Sequence, residues 1–153
     1  MKMKVALQLL ASIMIFASAN AQLTTPGTPE KYDVVISFNS MCCGTASNDF
    51  LKEFITNFNA KNKVALDVWQ MSGCGREGES KVVISSAGIK KSVKTKLMKS
   101  LKTLIPQQNE KNKAINTSIG NIDIEYGIAA NTITNCRGQL VRFTLTTSKV
   151  KIK

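Results

Sequence analysis

The chain contains no histidine. That excludes Ser-His-Asp and Cys-His catalysis and removes the commonest zinc ligand. There is no Cys-x-x-Cys, no pair of carboxylates set up for acid–base work, and no nucleophile with an evident base. No internal repeat or low-complexity tract interrupts the chain, and no stretch beyond the first 21 residues has the profile of a membrane span. Acidic residues are nearly missing from one region: residues 81–120 hold Glu110 alone, against Lys81, Lys90, Lys91, Lys94, Lys96, Lys99, Lys102, Lys111 and Lys113. Residues 22–80 carry five basic and seven acidic side chains. The formal net charge of +11 is therefore concentrated rather than spread, as a basic patch would be.

At the start, Lys2 and Lys4 precede a short apolar run, Val5–Ala17, and Ala19-Asn20-Ala21 forms a small-x-small cleavage site. Residues 1–21 thus read as a secretory signal peptide. Its removal leaves a mature chain of 132 of the 153 residues, suited to one domain with one core. Residues 22–31, with Pro26, Gly27 and Pro29, read as a flexible leader, and 32–153 as a single domain. Export to the periplasm or outside the cell implies an oxidising compartment, in which Cys42, Cys43, Cys74 and Cys136 default to disulfides.

Alternation and helical spacing then set the elements. Tyr32–Asn39 reads as a strand with Val34, Ile36 and Phe38 on one face and Asp33, Val35 and Ser37 on the other. Ser47–Ala60 is a helix with Phe50, Leu51, Phe54, Ile55 and Phe58 as its apolar stripe, capped by Thr45 or Ser47. Val64–Met71 and Lys81–Ser86 are strands joined by the glycine-bearing GCGREGES hairpin. Ser92–Leu104 is a second helix, ended by Pro106, and Gln107–Gly120 a polar loop. Ile122–Ile128 and Gln139–Thr147 alternate as two last strands joined by a turn at Asn135–Gly138. The order β-α-β-β-α-β plus one predicts an α+β ferredoxin-like sandwich, both helices on one face of an antiparallel sheet, with the added strand at the edge beside the fourth.

That topology brings Cys42, Cys43 and Cys74 to one pole and predicts a bridge from Cys74 to Cys42 or Cys43. Adjacent cysteines rarely bond each other. Cys136, in a turn at the opposite pole, either finds the spare cysteine of the Cys42–Cys43 pair through a longer, curled hairpin or stays unpaired.

At Asn39-Ser-Met-Cys-Cys-Gly-Thr45 the chain resembles the heavy-metal-associated domain family, whose Met-x-Cys-x-x-Cys loop joins the first strand to the first helix of this fold. The resemblance implies a soft-metal site for copper or zinc made of Met41, Cys42 and Cys43, with Cys74 completing it. A thiol–disulfide role, from cysteines placed near a helix N-terminus, is a third function class.

On the second helix, Lys91, Lys96, Lys99 and Lys102 fall on the arc opposite the leucines. Such a face serves solubility, or it binds an acidic protein or a polyanionic surface. No aromatics interleave with the lysines for base stacking. The glycines of Gly73–Glu79 open no helix and lack a phosphate-loop lysine. Trp69, on the strand face opposite Val64, Leu66 and Val68, either contacts a partner or covers the sheet. The expectation is an exported, disulfide-stapled binding module, with a soft-metal domain as the alternative.

Overall fold

A computed structural model describes residues 29–42 and 44–145 of the chain. The signal segment, most of the leader, Cys43 and residues 146–153 lie outside that range. The elements run β1 (Lys31–Phe38), α1 (Asp49–Asn62), β2 (Asp67–Met71), β3 (Ser80–Ser85), α2 (Lys91–Ile115), β4 (Ile122–Ala129) and β5 (Val141–Arg142). They form an antiparallel sheet in the order β4-β1-β3-β2-β5, an α+β ferredoxin-like sandwich with an added edge strand.

One face of the sheet carries the main core. Val34, Ile36 and Phe38 of β1, Val68 of β2, Val82 and Ile84 of β3, and Ile122 of β4 bury against Leu51, Ile55 and Phe58 of α1 and Leu97, Leu101 and Ile105 of α2. Burial of these side chains is the main force holding the helices to the sheet. Within the α1 stripe, Leu51, Ile55 and Phe58 are buried, while Phe50 and Phe54 pack half-exposed at its margin. The N-cap is Asn48, with no side-chain cap hydrogen bond, so neither Thr45 nor Ser47 caps the helix; the Ser47 hydroxyl accepts the amide of Asp49 at 3.2 Å just ahead of it.

Helix α2 runs 25 residues and continues through Pro106, against the expected stop. Proline removes one helical hydrogen bond, the one that would reach the carbonyl of residue 102. Pro106 and Lys102 are both exposed, so water can satisfy that carbonyl. The core-facing positions run through Ile105, just before the proline, to buried Asn112 beyond it. Asn109 clamps the last turns to β4: its Nδ2 donates to Ile122 O and its Oδ1 accepts from Ile122 N, both at 2.9 Å. The expected loop is thus helix as far as Ile115.

The added strand lies beside β2, not β4. After β4 the chain crosses the other face of the sheet, where Ala130, Ile133 and Leu140 pack with Trp69 over Tyr32, Val35 and Val83. It then pairs with β2 through Trp69↔Arg142 and Gln70↔Val141. The segment covers apolar surface that an edge position beside β4 would leave wet. The guanidinium of Arg142 sits 4.5 Å from the Trp69 ring centroid. Trp69 therefore serves to cover the sheet. Phe143 continues past β5 into the main core, 2% exposed.

One further departure shapes the site below. Asp33 falls between the register pairs Tyr32↔Ile128 and Val34↔Tyr126, opposite Gly127. Here both strands exchange faces: Tyr32 and Ile128 join the second cluster, while Asp33 reaches α2 instead of sharing the face of Val35. Gly127 takes φ +67°, which other residues rarely adopt.

Candidate functional site

The lysine face stands where the helical spacing places it. Lys91, Lys96, Lys99 and Lys102 are all exposed, on the side of α2 away from buried Leu97, Leu101 and Ile105. Steps of three and five residues set their ammonium groups along one arc, roughly one turn apart. Between them, Thr95 Oγ1 donates to the carbonyl of Lys91 at 3.0 Å and Thr103 Oγ1 to that of Lys99 at 3.3 Å. These hydroxyls are thus turned onto the helix itself, and the lysines alone present charge outward.

Ion pairs among the described residues are Lys52–Asp49, Lys94–Asp33, Lys113–Glu110 and Arg142–Asp67. None involves the four lysines of the face. Lys94 is different. It turns toward the sheet and pairs with Asp33, whose other oxygen accepts the amide and hydroxyl of Ser86, each at 2.7 Å. Burial works to raise the Asp33 pKa, but the hydrogen bonds from Lys94 and Ser86 and the Lys94 charge outweigh it and hold the carboxyl below its ordinary value. The first turn of α2 contains no acid, so the helix dipole adds to the positive potential at that end.

The cysteine pole is arranged differently from expectation. Cys74 bonds to Cys136, 62 residues away, and not to Cys42 or Cys43. The cause is the crossing after β4, which returns the chain to the β2–β3 hairpin. There Arg137 N donates to Gly73 O at 3.1 Å and Gly138 N to Ser72 O at 2.9 Å, extending the β2–β5 pairing to the bridge. A side chain at Gly138 would meet Ser72 O at 2.7 Å, so this close approach requires glycine. Closing a loop of this length stabilises the domain by about 4 kcal/mol in the chain-entropy model.

With its sulfur bonded to Cys136, Cys74 is not available to the set Met41, Cys42, Cys43 and Cys74. Met41 and Cys42 stand exposed after the end of β1, and Cys43 is outside the described residues. Among the described residues, no group of three or more His, Cys, Asp or Glu side chains could hold a metal ion. No helix among them is long and apolar enough to cross a membrane.

Sequence reasoning missed the contribution of the β1–β4 edge, where Asp33, Gly127 and Tyr126 meet α2. The signal was present as a glycine interrupting the alternation Ile122-Asp-Ile-Glu-Tyr126. Neither protein-family models, curated proteins nor solved structures match this chain.

Proposed function

We propose that this chain is an exported, disulfide-stapled binding module that holds a polyanionic partner through the lysine face of α2. One observation carries the reading: Lys91, Lys96, Lys99 and Lys102 stand exposed on one rigid helix face, outside every ion pair among the described residues. A face made only for solubility gains from charges of both signs, whereas a run of one sign raises the local concentration of an oppositely charged ligand. The Cys74–Cys136 bridge is what an oxidising compartment permits, and it supports the exported reading. The partner is recognised by charge density, because no aromatic side chain of α2 interleaves with the four lysines. Retention on immobilised heparin tests the reading. Wild-type protein is expected to need high salt for elution, and Lys96→Glu/Lys99→Glu/Lys102→Glu to elute at low salt. Undiminished retention of that variant would refute the proposal.

A further inference from the structure

Beside the lysine face, α2 and the edge strand β4 leave a crevice of about 550 Å³. Met98, Tyr126 and Gly127 give it an apolar floor, and Lys31, Lys99 and Lys102 stand around it. The volume is in the range of small-molecule sites, and the combination of apolar wall with a few charged groups is their usual chemistry.

The charge at this place has one sign. Asp33 also lines the crevice, but Lys94 neutralises it and Ser86 occupies its second oxygen. Lys31, Lys99 and Lys102 are exposed, and none makes an ion pair among the described residues. Three uncompensated ammonium groups therefore surround an apolar cleft whose floor is half-buried Met98 and the ring of Tyr126, 43% exposed. The lysine stems can lie along an apolar ligand while their ends meet an anion. Gly127 keeps the cleft open on the β4 side. Its φ of +67° disfavours any side chain, and an added Cβ would press on the Lys31 stem at 2.9 Å.

We propose that this crevice binds a free single-chain carboxylate of the fatty-acid type, its hydrocarbon body against Met98 and Tyr126 and its head group between Lys99 and Lys102. Charge complementarity selects the head, and the apolar floor selects the body. The crevice lies between one helix and one edge strand, and its volume suits a single ligand chain. The inference shares Lys99 and Lys102 with the polyanion face but rests separately on the crevice.

The test titrates the purified protein with decanoate below its micellar range, following the methyl resonance of Met98 and the heat of binding. A saturable shift at Met98 is expected, with affinity rising about threefold to fourfold per methylene from octanoate to decanoate. Decyltrimethylammonium, the same chain with the opposite charge, should give no saturable shift. Tyr126→Ala, which removes the apolar floor without changing charge, should weaken decanoate at least about tenfold while leaving heparin retention unchanged. Thr95→Glu, at an exposed helix position on the crevice wall, should also weaken decanoate, with heparin retention falling only as one added charge requires, and covers the case in which Tyr126→Ala fails to fold. Absence of a saturable shift at Met98, equal binding of the cationic chain, or unaltered affinity in the folded variants would overturn the inference. Protein that ignores heparin yet binds decanoate would refute the polyanion face and leave the crevice standing, and the reverse pattern would remove the crevice alone.

Discussion

The carboxylate of Asp33 on β1 is ion-paired with Lys94 in the first turn of α2, and the same carboxylate holds the amide and hydroxyl of Ser86 at the end of β3. One side chain thus ties the start of the lysine helix to two strands. Because its folded pKa lies below the ordinary value of 3.8, its contribution is present above that pH and is lost as pH falls through the lower, folded pKa. Chemical denaturation followed across pH 2–6 is expected to show this loss below roughly pH 4, and Asp33→Asn should flatten that part of the profile. At neutral pH, Asp33→Ala should cost about 1–3 kcal/mol, mostly from the Ser86 groups left without their acceptor. The Lys94 pair itself is half-exposed and adds little.

Replacing Cys74 and Cys136 together by alanine should lower stability by about 4 kcal/mol, read from the unfolding free energy extrapolated to water, with a steeper denaturant slope because the unfolded chain loses its cross-link. Peptide mapping without reduction should link the Cys74 peptide to the Cys136 peptide. A link from Cys74 to Cys42 or Cys43 would contradict the arrangement of β5.

Much of this architecture could be read from residue patterns, because the β1, β3 and β4 alternation and the spacing of both helices answer to one apolar core. What could not be read depended on surfaces that exist only after folding. Cys136 finds Cys74 because Ile133 and Leu140 bury the second sheet face, and nothing local to Asn135–Gly138 distinguishes that crossing from a simple turn. Pro106 obeys the local rule only where its neighbours must stay dry. On an exposed face, with Asn109 fastening the next turn to Ile122, the helix continues. The lysine face was legible from helical spacing alone, whereas the crevice was not, since Gly127 moves Asp33 out of strict alternation.

Pro106→Ala restores the missing amide donor at an exposed helix position. It should stabilise the protein by about 1–3 kcal/mol in denaturant unfolding. A loss of stability would mean that Pro106 itself is needed for the Asn109 clamp.

Ile55→Ala, at a fully buried position of α1, should cost about 2–5 kcal/mol by opening a cavity under the sheet. Phe54→Ala should cost less than full burial would imply, because that ring lies at the half-exposed margin. Lys99→Ala should change stability by less than about 0.5 kcal/mol. Thermal or denaturant unfolding of the three variants orders them directly.

The lysine face itself is tested most directly by the salt dependence of affinity for a heparin-derived oligosaccharide, measured by titration calorimetry on two triple variants of equal net charge. One reverses Lys96, Lys99 and Lys102 to glutamate. The other reverses Lys61, Arg76 and Arg137, which are exposed and lie outside α2. Each cation that meets the polyanion releases about one counterion, so the face variant should lose roughly 3 from the slope of log affinity against log salt. The control should keep the wild-type slope with only a modest drop in affinity. Equal losses of slope and affinity in the two variants would show that bulk charge alone is at work and would contradict the binding face.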